Sequence, residues 1–283
     1  MQAVAERCEL GFKVAVVQPA VTNSVNRNLQ KIDELLAEAG KHSPDLALLP
    51  ETWQHSNVFA VAGHLAGKVD DVLRILAKHA SEFGMVVAGG GVVVRREKGL
   101  MNSCPVVGPD GEVWGWQDKI HLYRGEKQHF VRGDGVRVFS FRGVGFGVLI
   151  CHDIVFPELG RLMALKGADV LLNPSRMPSS GVEPWHDYVK SRCLENRVAA
   201  ATSNVCVNTS TCGGTAVFTL ERANSYMFRV RKTTLNEVED VLAVEINGFE
   251  EMRKARRERL AHRLPSLYRE IVEENYSNPV IMK

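Results

Sequence analysis

Short runs of β-branched and aliphatic residues, none longer than a strand, alternate along this chain with stretches whose apolar residues recur every three or four positions. That alternation restricts the fold to helices packed on sheets. Residues 13–18 read as a buried strand closed by Pro19. From 23 to 40, Val25, Leu29, Ile32, Leu35, Leu36 and Ala39 keep helical spacing, with Gly40 as the stop. Residues 45–49 form a second strand ended by Pro50, and 69–83 a second helix before Gly84. Closely spaced strands are expected over 85–95, 101–107, 112–116 and 136–141, with Pro109-Asp110-Gly111 as a turn. Strands at 146–150, 169–172, 199–207, 215–220 and 241–246 then mix with helices at 157–166, 185–198 and 250–262, and a last short segment covers 267–273. No repeat, low-complexity tract or linker interrupts the pattern. One layered α/β domain over 1–283 is expected.

Composition narrows the function classes. The formal charge of +2 is nearly balanced and the basic residues are scattered, so no stripe for nucleic acid is present. No apolar stretch approaches the ~20 residues of a membrane span. Residues 1–10 carry Glu6, Arg7 and Glu9 and lack the apolar core of a signal peptide, which points to the cytoplasm. None of the six cysteines forms a C-x-x-C pair, and no His follows at zinc-finger spacing. Structural zinc and disulfides are not expected; all six should be free thiols, and no cofactor is implied.

Three places share one design, a buried strand that delivers a reactive side chain to its C-terminal end, where open α/β folds bind ligands. Leu48-Leu49-Pro50-Glu51 puts a carboxylate at such an end. A Glu there is ordinarily a surface turn residue; partly desolvated, it would be a base with a raised pKa. Gln117-Asp118-Lys119-Ile120-His121-Leu122 sets Lys119 among Trp114, Trp116, Ile120, Leu122 and Tyr123, an unusual setting for a solvated lysine. At strand spacing His121 would share its face. Gly147-Val148-Leu149-Ile150-Cys151-His152-Asp153 ends a buried run on a thiol, ahead of Phe156-Pro157-Glu158. Such a Cys is usually a packed core thiol. Beside a helix started by Pro157, N–H groups and a cation could lower its pKa.

Together these segments resemble the nitrilase superfamily, the carbon–nitrogen hydrolases. The likeness runs from Val14-Ala15-Val16-Val17-Gln18-Pro19 through Leu49-Pro50-Glu51, Lys119-Ile120-His121-Leu122, Cys151-His152-Asp153, Gly167-Ala168-Asp169 and Asn173-Pro174-Ser175 to Arg263-Leu264-Pro265. The resemblance implies a four-layer αββα sandwich, usually dimerised. It implies Cys151 as nucleophile, Glu51 as general base, and Lys119 with the His152 N–H as oxyanion holders. Glu126 matches a second family glutamate, although a Glu in a Gly-containing loop is also an ordinary surface residue. His152, Asn173 and Arg176 fall at expected substrate-binding positions; Arg176 would meet a substrate carboxylate, unless it is an exposed loop residue. The implied substrate is a small amide or carbamoyl compound, with a nitrile or a non-catalytic binding role as the rivals. His152-Asp153, where nitrilases typically have Trp-Glu, favours the amidase type. The apolar end of the chain over 263–283 is expected to dock on its own core or to reach a second subunit of a homodimer.

Overall fold

The computed structural model describes residues 11–208, 210–225, 227–269 and 271. Two sheets stack face to face and helices cover their outer faces, giving the αββα sandwich that the resemblance implied.

The first sheet has the order β13-β1-β2-β3-β5-β4, with β6 on β5. Its strands are β1 (Phe12–Gln18), β2 (Leu46–Leu48), β3 (Val86–Ala88), β4 (Val92–Arg96), β5 (Gly99–Val107), β6 (Val113–Asp118) and β13 (Asp240–Ile246). The second has the order β12-β11-β10-β9-β8-β7, from β7 (Val138–Phe141), β8 (Val144–Val148), β9 (Val170–Pro174), β10 (Ala199–Ser203), β11 (Ala216–Arg222) and β12 (Phe228–Thr234). In each, three parallel strands form the centre: β1, β2 and β3 in one, β8, β9 and β10 in the other.

The period of two along β1 explains the layering. Val14 and Val16 face the second sheet and pack in one core with Leu46, Leu48, Phe146 and Val148. Ala15 and Val17 face the other way, into a second core with Leu29, Ile32 and Leu36 of α1 (Val25–Lys41) and Val72 and Leu76 of α3 (Val69–Phe83). A strand buried on both faces reads as a continuous apolar run, and β1 does so because helices and sheet each take one of its faces. On the far side, α4 (Pro157–Leu165) and α5 (Val182–Asn196) add Met163, Val189 and Cys193 to the core of the second sheet. Near the end, α6 (Phe249–Ala261) is held by Arg253 and Arg256, which both pair with the buried Asp169.

Several sequence expectations are corrected. The strand expected over 85–95 is two strands, because Gly89-Gly90-Gly91 breaks the run. Gly90 has a φ of 71°, and a side chain there would collide with the Pro50 carbonyl. Two elements were not anticipated: α2 (Val58–Ala66) and β12, whose alternating charges hid its strand period. The cysteines are not all free, since Cys206 and Cys212 are disulfide-bonded. The loop between β10 and β11 turns back on itself, with Val207 N–H donating to the Thr211 carbonyl, and this return brings the two thiols together. No helix among the described residues is long and apolar enough to cross a membrane. Residues 272–283, most of the apolar end expected to reach a second subunit, lie outside the described residues, as does Cys8.

Candidate active site

The ends of β2, β6, β8 and β9 converge where the two sheets meet, and a cavity of about 370 Å³ opens there. Its walls include Glu51, Lys119, Glu126, Cys151 and Arg176, together with Ser56, Asn57, Val58 and Phe59 from the start of α2.

Glu51 follows β2 by three residues and is only 4% exposed. Its backbone is tied to both sheets. Glu51 N–H donates to the Ser175 carbonyl at 3.3 Å, and Thr52 N–H to the Gly91 carbonyl at 2.7 Å. Lys119 lies one residue beyond β6 and is 1% exposed. Its ammonium donates to Glu51 Oε1 at 2.7 Å and to Glu126 Oε1 at 2.8 Å. Glu126 sits in a 3-10 turn (Arg124–Gln128), where its other oxygen accepts the Tyr123 N–H at 2.6 Å. It is buried, not a surface loop residue.

Cys151 begins a 3-10 turn (Cys151–Val155) interposed between β8 and α4, and Pro157 opens α4 as expected. Its φ of 47° is strained for a residue with a side chain, and surrounding bonds enforce it. The Asn173 amide donates to the carbonyls of Leu149 and Cys151. Asn173 Oδ1 in turn accepts from Ser175 Oγ and Trp185 Nε1. Asn173 thus lies beneath the Cys151 turn and is not among the cavity walls.

The electrostatics follow from burial and crowding. Burial works against the Lys119 ammonium, yet the charges of Glu51 and Glu126, joined by Cys151 when it ionises, outweigh it and raise its pKa, so it stays charged. Burial and the Glu51 charge raise the Glu126 carboxyl above the ordinary range. The Cys151 thiol is pushed well up, chiefly by burial and then by Glu51, against the pull of Lys119 and the Arg176 N–H. The expected lowering of this thiol is therefore corrected: a thiol at rest keeps its proton. Glu51 lines the same cavity, and its charge acts on the thiol.

The remaining residues have other employments. Lys119 and His121 do not share a strand face, because β6 ends at Asp118. His121 Nδ1 and N–H both meet Asp153 Oδ1, at 3.0 and 2.7 Å, and Ile120 N–H donates to Asp153 Oδ2. Asp153, two residues after the thiol, thereby ties the Lys119 segment to the Cys151 turn. The His152 ring packs against Tyr123 and Phe156, and burial followed by the Lys119 charge lowers its pKa. Arg176 is not an exposed loop residue. Its Nη1 donates to Thr52 O and His55 O, and its Nη2 to Ser56 O. Sequence reading missed Asp153, the α2 wall and Asn102, whose Nδ2 donates to Glu51 Oε1 at 2.9 Å. The one available signal was the polar pair Asn102-Ser103 inside an apolar strand.

Residues 13–221 match the carbon-nitrogen hydrolase family. The chain belongs to that family and is a carbon–nitrogen hydrolase. It is 35% identical over 204 residues to a nitrilase of Pyrococcus abyssi, covering 68% of this chain and 74% of the relative. An omega-amidase of Xenopus laevis is 29% identical over the same shares. Among solved structures, an amidase from Nesterenkonia sp. superposes with a TM-score of 0.78 at 23% identity, covering 93% of this chain and 97% of that one. A mutant of that amidase carries the acetamide moiety of fluoroacetamide covalently on its active-site cysteine. Saccharomyces cerevisiae Nit3, of the nitrilase superfamily, gives a TM-score of 0.77 at 22% identity, covering 88% and 95%.

Proposed function

We propose that this enzyme hydrolyses a small primary amide or carbamoyl compound through a thioester on Cys151. The observation that carries the reading is a buried lysine 2.7 and 2.8 Å from two carboxylates, beside a thiol whose resting state is protonated. A lone thiol of that kind is inert. One in contact with a carboxylate can lose its proton as it attacks.

In the first half-reaction Cys151 Sγ bonds to the carbonyl carbon while its proton passes to Glu51. The carbonyl π electrons move to oxygen, and Lys119 Nζ and the His152 N–H stabilise that oxyanion. The oxyanion collapses, the carbon–nitrogen bond breaks, and the nitrogen takes the proton from Glu51 and leaves as ammonia or an amine. In the second half, water gives a proton to Glu51 and attacks the thioester. The acid departs and the thiolate recovers the proton from Glu51. Glu126 holds the far side of Lys119, which fixes the ammonium at the place where charge develops. Arg176 contributes by fixing the 52–56 wall and by a charge without a carboxylate partner among the described residues.

Cavity size favours a short acyl group, and Val58, Phe59 and Tyr123 provide its apolar surface. The test is ammonia release by the full chain across primary amides, N-carbamoyl compounds and nitriles. Turnover of amides or carbamoyl compounds is expected. Turnover of nitriles alone would replace the reading with a nitrilase, and binding without turnover of any class would replace it with a non-catalytic role.

A further inference from the structure

Lys119 occupies one lone pair of Glu51 Oε1 at 2.7 Å, and the Asn102 amide occupies the other at 2.9 Å. That oxygen is saturated. Among the described residues no donor is directed at Oε2, while Cys151 lines the same cavity and its thiol feels the Glu51 charge. We infer that Asn102 is a positioning residue for the general base: it clamps Oε1, so that Oε2 is the oxygen that takes the proton. The inference rests on the role proposed above for Glu51.

Three further features support the clamp. Asn102 is 1% exposed, and its Oδ1 is a buried acceptor with no hydrogen-bond partner. A buried amide orphaned at one end is costly. Rotating it would bring that oxygen against the Glu51 carboxylate, so Nδ2 faces the base by chemical necessity. Next, Gly91 leaves room for the pair. A side chain at Gly91 would stand 2.5 Å from Asn102 Oδ1 and 2.9 Å from Glu51 Cγ. Finally, the Lys119 N–H donates to the Asn102 carbonyl at 2.9 Å, so one residue of β5 holds both Glu51 and Lys119.

The clamp has a chemical consequence. Glu51 shares Lys119 with Glu126, a like charge on the far side of the ammonium. Asn102 is the neutral donor that favours the charged form of Glu51. The other groups facing Glu51 are Arg176, His152 and Cys151, and they are the same with or without Asn102.

The test uses the acyl-enzyme, in which the thiol no longer titrates. The full chain is acetylated with p-nitrophenyl acetate, and loss of the acetyl group from Cys151 is followed by intact mass against pH. Asn102→Leu should slow deacylation ~10-fold at pH 7 and move its acid limb upward by about one pH unit. In a Glu51→Gln background, where deacylation is already slow, the same substitution should change the rate less than about twofold. Uniform slowing at every pH, or equal slowing in the Glu51→Gln background, would reduce Asn102 to packing and overturn the inference. Should the leucine variant not fold, Asn102→Asp keeps the volume and replaces the donor with a like charge. It should shift the limb further in the same direction, and an unmoved limb would overturn the inference equally. If Glu51→Gln itself deacylates at the wild-type rate, it is the base assignment that fails, and the clamp fails with it.

Discussion

Replacing Lys119 with methionine keeps the unbranched stem of the side chain, one atom shorter, and removes its charge. At 2.7 and 2.8 Å, and at an effective dielectric of about 20, the ammonium attracts each carboxylate by about 6 kcal/mol. Much of that offsets the burial of three charged groups, so the net loss on breaking the cluster is about 3–5 kcal/mol. Glu51 and Glu126 would be left as neighbouring buried carboxylates. Without the ammonium, burial and the Glu51 charge would raise the folded-state pKa of Glu126 further above its unfolded value. A carboxyl group shifted upward supports folding below its unfolded pKa, and that support is lost as pH rises through the folded value. The deficit of Lys119→Met should therefore be small near about pH 5 and grow toward about pH 8. Adding Glu126→Gln removes one of the two charges and should restore part of the stability, but no activity. Turnover should fall ~10²–10³-fold with little change in KM, because the lysine acts on charge present only in the transition state. Thermal melts at three pH values and steady-state ammonia release on the full chain measure both effects. A stability deficit independent of pH, or a raised KM with kcat unchanged, would refute the reasoning.

Iodoacetamide should label Cys151 before Cys104 or Cys193, because Cys151 lines the cavity while the other two are fully buried. Peptide mapping checks this, and equal labelling of Cys104 would contradict it. Asp153→Ala should leave two N–H groups and one imidazole nitrogen without their acceptor, costing about 2–5 kcal/mol and lowering kcat as the Lys119 segment loosens. A variant with wild-type kcat would show that the tie does not hold the lysine.

The layers were legible because the periods differ. The spacing of Val25, Leu29, Ile32 and Leu36 could only be a helix, and the unbroken apolar runs of β1 and β8 could only be strands covered on both faces. The short stretch that became α2 was not legible, because Val58–Ala66 is apolar all round its axis and follows no turn signal that a strand would not share. Nor was β12, an edge strand whose Arg, Lys and Thr residues carry almost no apolar period. Within the site, Glu51, Lys119 and Cys151 stood out because each ends a strand. Glu126 followed only from the family likeness, since a 3-10 turn gives a glutamate no pattern. Arg176, Asn173 and His152 were harder. The family likeness places them at the site, but whether a side chain faces the cavity or serves the neighbouring backbone depends on loops from both sheets. The disulfide between Cys206 and Cys212 was missed for the same reason, because only the return of the loop brings them together.

The account turns on a covalent bond to Cys151. Full-length protein quenched during turnover of propionamide or an N-carbamoyl compound, and weighed intact, should carry an adduct equal to the substrate minus ammonia. Digestion should place the adduct on Cys151, and Cys151→Ala should show neither adduct nor more than ~1% of the ammonia release. An adduct on any other residue, or hydrolysis that survives the alanine substitution, would contradict the account.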